Sequence, residues 1–246
     1  MCKYSFGFAI LILLAAMPAP AQTLHVNNHL RPGDEGGIGS QYRQTTNNAA
    51  HQILNGETRE GLAALKPVLA YCDAQLARSN LQFVSFSSSA QYQHYLQSHD
   101  ASSKPLEWLD MACPSAYYYN GFSLVAERRF EQALPFLEKA SHLAPYFIEP
   151  LTELGAALNQ MDRIDEALVS YRQALSLADS EPLTRYALPM IWRGIGYALV
   201  EKHDFEGARS AYQKSLELEP DNKLAQSELD FIEEQIQIVP TGSETQ

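Results

Sequence analysis

The sequence predicts an all-α chain in which helical hairpins stack side by side into a solenoid. Three observations carry that prediction. Segments 114–147, 148–181 and 189–222 align without gaps, their starts 34 and then 41 positions apart. Within each half of a unit, apolar residues return at three- and four-residue steps, the mark of an amphipathic helix. Between the halves stands a short polar break: Glu127-Arg128-Arg129, Gln160-Met161-Asp162 and Lys202-His203-Asp204. A single hairpin of this size cannot bury its apolar face alone, so the units must stack.

Composition agrees and narrows the function classes. The chain has 246 residues, 46% hydrophobic and 19% charged, which excludes a collagen-like, wholly disordered or polytopic membrane protein. Eighteen Lys and Arg against 29 Asp and Glu give a net charge of −11. Such a chain has no electrostatic footprint for nucleic acid and is repelled by anionic lipid.

From the N-terminus onward, the first element is an address. Lys3 precedes an apolar run over 6–17, and Ala19 and Ala21 are the small residues of an A-x-A cleavage site before Gln22. Twelve apolar residues rise only about 18 Å, short of the roughly 30 Å hydrocarbon core. Residues 1–21 are therefore expected to be a signal peptide. The product is expected to be periplasmic or secreted, with no membrane insertion after processing. It keeps Cys72 and Cys113, 41 positions apart, and an oxidising compartment allows them to bridge. The alternative is two buried thiols that never meet, since spacing does not supply the Cα separation a bridge requires.

Residues 22–40, with Gly33, Gly36, Gly37 and Gly39, read as a flexible lead-in. Residues 41–113 are irregular. Within them 49–70 form a degenerate hairpin turning at Asn55-Gly56 with Gly61 at its crossing. Residues 81–86 suit a short strand, Ser88 caps a helix running to Ser98, and 105–111 suit another short helix.

The three units then repeat column by column: Tyr117, Leu151 and Trp192; Gly121, Gly155 and Gly196; Ala133, Ala167 and Ala208; Leu137, Tyr171 and Tyr212; Pro145, Asp179 and Pro220. Glycine in the first helix and alanine in the second remove bulk where the axes approach, so Gly155 is expected to face Ala167. This pattern resembles the tetratricopeptide repeat family over 114–222. Asn120 departs from it, standing where leucine is usual. Asp179 replaces the terminal proline where seven extra residues, 182–188, enter. The third unit's first helix is accordingly expected to begin early and kink at Pro189. Residues 223–237 read as a capping helix, and 238–246 as a polar tail.

The resemblance implies a right-handed superhelix whose first helices line a concave wall. That wall would carry Tyr118, Phe122 and Val125, then Thr152, Ala156 and Asn159, then Arg193, Tyr197 and Val200. Tyr118, Phe122, Asn159, Arg193 and Tyr197 are the partner-binding candidates, since aromatics, an Arg and an amide suit a peptide groove. For Phe122, burial under the irregular segment is an equal alternative, and Trp192 is expected to point into the hairpin seam. The family's grip on chaperone carboxylates needs Lys, Asn and Arg where this chain has Tyr118, Phe122, Glu153, Met190 and Gly194. That specificity is excluded.

Nucleophile-elbow, Walker, dinucleotide, H-E-x-x-H and C-x-x-C motifs are absent from the sequence. His25 and His29 lie in the lead-in and His203 in a tight turn, all best read as solvated side chains. Neither metal nor cofactor is expected. The reading is an exported scaffold that binds a partner protein or peptide without catalysis. The alternative is an enzyme or carrier with its site in 41–113.

Overall fold

The computed structural model describes residues 37–98, 104–180 and 182–238. The expected signal peptide with Ala21 and Gln22, the histidines His25 and His29, and the tail past Ile238 lie outside the described residues.

Among the described residues, four hairpins and a closing helix follow one another. They are α1 (Arg43–Leu54) with α2 (Thr58–Leu76), α4 (Ala112–Ala126) with α5 (Phe130–Leu143), α6 (Ile148–Gln160) with α7 (Ile164–Ser180), and α8 (Leu188–Glu201) with α9 (Phe205–Leu218), then α10 (Lys223–Ile238). All four turns are built alike. The residue three beyond each first helix donates its N–H to a carbonyl five residues back: Glu57 to Gln52, Arg129 to Leu124, Arg163 to Leu158 and Asp204 to Leu199. The preceding residue is left-handed in every case, Gly56 at φ 89°, Arg128 at 59°, Asp162 at 60° and His203 at 58°. This is the cap that satisfies a helix's last carbonyls and reverses the chain. Hairpin 43–76 therefore belongs to the same series as the clear repeats, and both of its helices pack on α4.

The seams correct one expectation. The repeat glycines clear space for the bulky residue of the second helix rather than for its alanine. A Cβ on Gly121 would lie 2.7 Å from Leu137 Cγ, one on Gly155 2.7 Å from Tyr171 Cζ, and one on Gly196 2.6 Å from Tyr212 Cε2. In the first hairpin the roles are reversed: Gly61 of the second helix clears space for Ile53 of the first, at 2.6 Å. Alanines 133, 167 and 208 are fully buried beside these crossings.

Between α2 and α4 lies the insert: β1 (Gln82–Val84), α3 (Ser89–Ser98) and β2 (Leu106–Trp108). Ser88 Oγ accepts from Gln91 N–H at 3.3 Å and so caps α3. The helix expected at 105–111 is instead a strand, parallel to β1 with Phe83 opposite Glu107. Over seven residues, apolar spacing fits either period, and the open edge of β1 decides. Residues 37–40 are also not loose. Ile38 N–H donates to Trp108 O, Asp110 N–H donates to Ile38 O, and a 3-10 turn follows over Ser40–Tyr42.

Asp110 then stops the strand and starts the helix. Its Oδ1 accepts from Ala112 N–H at 2.9 Å, and its Oδ2 accepts from Arg43 Nε at 2.7 Å, with the carboxylate 1% exposed. A disulfide joins Cys72 of α2 to Cys113 of α4, with Cα atoms 5.7 Å apart.

Without a proline at 179, α7 runs 17 residues where α5 and α9 each run 14. A 3-10 turn over Pro182–Ala187 absorbs the insertion, and α8 begins at Leu188. Pro189 therefore sits in the first turn, where its missing N–H costs nothing, and the expected early start and kink do not occur. One apolar core runs from Ala49 to Ala211. A smaller one, with Ala225 and Ile232 fully buried, seals α9 under α10.

Candidate functional site: the open wall of the hairpin stack

Helices α4, α6 and α8 lie in sequence along one side of the stack. The structure draws in three of the five candidate residues on this side. Tyr118 is 7% exposed, its ring 4.9 Å from Tyr119 and 5.2 Å from Phe147. The α5–α6 turn that supplies Phe147 closes over it, so Tyr118 is core rather than groove. Asn159 is also buried: its Nδ2 donates to Gly194 O at 3.1 Å and bolts α6 to α8, while its Oδ1 has no partner. Arg193 turns away into its own hairpin, donating to Ser215 Oγ at 3.2 Å and Glu219 Oε2 at 2.6 Å. Its charge is spent on α9 and does not reach the wall.

Two candidates stay on the surface. Phe122 is half-buried, its ring 6.0 Å from Tyr118. Tyr197 is half-buried with its hydroxyl on Glu201. Trp192 packs on the core edge with Lys214 Nζ 4.2 Å above its ring. His203 is exposed in its turn. Thr152 is buried, its hydroxyl on the Glu149 carbonyl.

The partly exposed stripe of α6 is Glu149, Glu153, Ala156 and Gln160, rotated from the expected Thr152 and Asn159. Glu149 accepts from the Tyr186 hydroxyl at 2.5 Å. Burial pushes the Glu149 carboxyl up, and pushes that of Glu153 up to about 7. Around them stand Tyr118, Tyr119, Tyr171 and Tyr186, whose hydroxyls are pushed up by burial and then by these two carboxylates. Further along, Tyr197 lies near Glu201, Glu228 and Asp162. Burial and Glu201 push the Glu228 carboxyl up. Among the described residues no salt bridge reaches Glu149, Glu153, Glu201 or Glu228. The wall is therefore acidic and aromatic, with its carboxylates uncompensated. Sequence reasoning missed Glu149, Glu153 and Tyr186. The only signal was an i, i+4 carboxylate pair, which reads equally as a solvated helix face.

Residues 148–181 and 189–222 each match a family model described as tetratricopeptide repeat. These two segments are tetratricopeptide repeats. The chain is 33% identical over 118 residues to a UDP-N-acetylglucosamine–peptide N-acetylglucosaminyltransferase of Giardia intestinalis, a match covering 48% of this chain and 8% of that one. It is 28% identical over 126 residues to the Homo sapiens protein O-mannosyl-transferase TMTC1, again covering 48% of this chain and 14% of the relative. The chain thus spans well under a fifth of either relative's length. Among solved structures, the MamA RS-1 ArsTM double mutant shares the fold at TM-score 0.51 and 16% identity, over 81% of this chain and 85% of that one. The first repeat domain of Spaghetti (RPAP3), bound to an HSP90 peptide, gives TM-score 0.46 and 21% identity over 50% and 92%.

Proposed function

We propose that this protein is an exported scaffold that holds a basic protein or peptide against its open wall and performs no chemistry of its own. The observation that carries this reading is the run of carboxylates on α6, α8 and α10, left without cations beside exposed tyrosine edges. Protein–protein recognition places complementary charge across such surfaces, and a chain of net charge −11 supplies the acidic side. The Cys72–Cys113 disulfide supports export, since such bonds persist in oxidising compartments. The apolar run and A-x-A site before Gln22 support it independently.

Two measurements test the reading. Intact mass of exported material should begin at Gln22; a chain retaining 1–21 in the membrane pellet refutes export. The partner identified by cross-linking from the envelope fraction, bound again without the cross-linker, should dissociate as salt rises, because exposed charge pairs are screened. Retention unchanged by salt refutes the acidic wall as its seat.

A further inference from the structure

The two departures from the repeat pattern meet at one place, the N-terminal end of α6. The insert reaches it through Ser85, whose N–H donates to Leu143 O at 2.6 Å. The seven-residue insertion reaches it through the 3-10 turn Pro182–Ala187. Between them opens a cleft of about 70 Å³, lined among others by Ser85, Gln91, Tyr146, Glu149 and Tyr186.

Two independent features mark the cleft as built for a ligand. Ser85 is 1% exposed and its Oγ has no hydrogen-bond partner, an uncommon state for a buried hydroxyl. Its neighbour Ser87 is satisfied by Gln91, at 2.8 Å, so the orphan is specific to Ser85. The second feature is charge. Glu149 has one oxygen on Tyr186 and no cation, and Glu153 stands one turn further along α6 with no salt bridge among the described residues. The rim of the cleft offers exposed apolar surface: Leu183 is 77% exposed and Tyr186 51%.

We propose that this cleft receives the side-chain ammonium of a lysine from an extended segment of a partner protein. The ammonium donates to the Glu149 carboxylate and to Ser85 Oγ. Its methylene stem lies along Leu183 and Tyr186, the arrangement in which lysine covers apolar surface while its head finds oxygen. The rings of Tyr146 and Tyr186 add the attraction of aromatic faces for a cation. Arginine fits less well. Its planar fork wants both oxygens of a carboxylate, and Tyr186 already holds one of them. This inference rests on the scaffold reading and names one side chain of its partner.

The test uses the full chain, isotopically labelled, and the acetylated, amidated peptide Gly-Leu-Lys-Leu-Gly. The same peptide with norleucine or arginine in place of lysine serves as comparison. The lysine peptide should shift the amides of Ser85, Glu149 and Tyr186 and bind about tenfold more tightly than the norleucine peptide. Glu149→Gln and Ser85→Ala should each weaken the lysine peptide alone. The wild-type comparison needs no variant to fold. Equal binding of lysine and norleucine peptides, equal binding of the arginine peptide, shifts confined to Tyr197, or no shifts at all would each overturn the proposal. If cross-linked partner is then still lost on Tyr197→Ala, the scaffold reading survives and the cleft alone is refuted.

Discussion

Arg128, Asp162 and His203 hold left-handed backbone at three equivalent turns where the first hairpin uses Gly56. For a residue with a Cβ that conformation costs roughly 1–2 kcal/mol, less for Asp, whose short polar side chain tolerates it. Glycine would recover this but lose about 0.5–1 kcal/mol of unfolded-state advantage. Arg128→Gly and His203→Gly should therefore each raise stability by about 0.5–1 kcal/mol, and Asp162→Gly by less, measured in denaturant titrations. Glu153 carries a pH signature of opposite origin. Burial lifts its carboxyl from 4.5 to about 7, with Tyr118 and Tyr171 facing it and no cation to offset the cost. Between those values the folded state keeps a proton that the unfolded chain releases. Stability therefore falls as pH rises through that window and is flat above it. At full burial the shift is worth roughly 3 kcal/mol, and solvent at this partly open site reduces it. Glu153→Gln should raise the melting temperature at pH 8 and leave it unchanged at pH 4. An equal gain at both pH values would remove the carboxylate from the explanation.

Elements in this protein are locked by glycines set against rings. Tyr171 stands between two of them: a Cβ on Gly155 would lie 2.7 Å from its Cζ, and one on Gly194, across the next hairpin, 2.2 Å. Gly155→Ala or Gly194→Ala should cost about 1–3 kcal/mol by overpacking. Tyr171→Leu, matching the Leu137 that faces Gly121, should recover part of that loss, so a double-mutant cycle should be non-additive. The disulfide locks at the same scale. It ties α2 to α4 and closes a loop of 41 positions that contains the insert, and in the chain-entropy model a loop of that length contributes roughly 4 kcal/mol. Replacing both cysteines with alanine should speed hydrogen exchange in α1 and α2 well before α8 to α10, because a stack couples nearest neighbours most strongly. What was legible in the sequence follows the same division. Helices 112–218 could be read because each has copies that fix its register, down to the turn residues. Segment 105–111 has no copy, and its seven residues did not reveal that they pair with Gln82–Val84, a contact across more than twenty positions.

For the whole molecule, the repeat pattern specified which faces are apolar but not which end of the stack its insertions would cover. That is why Tyr118 proved to be core: Phe147 and the α5–α6 turn close over it, a tertiary event no column of the alignment records. It is also why Arg193 was misplaced. Its partner Glu219 lies 26 positions away at the end of α9, and only the folded hairpin brings the two within 2.6 Å. Tyr197 alone among the polar candidates keeps its place on the wall, now beside Glu201 and near Glu228 rather than beside an arginine. The consequence for binding is a reversal that can be measured. Arg193→Ala removes a charge-assisted hydrogen bond and strips a partner from fully buried Ser215, so it should lower stability by about 1–3 kcal/mol. Its effect on partner capture should be no larger than that loss of folded protein. Tyr197→Ala with Glu201→Gln removes an aromatic edge and one of the uncompensated charges, neither of which holds a neighbouring helix by a salt bridge. It should weaken capture severalfold, mostly through faster dissociation, with the melting temperature nearly unchanged. Capture that follows Arg193 and ignores Tyr197 and Glu201 would place the working surface on the α8–α9 side of the third hairpin instead.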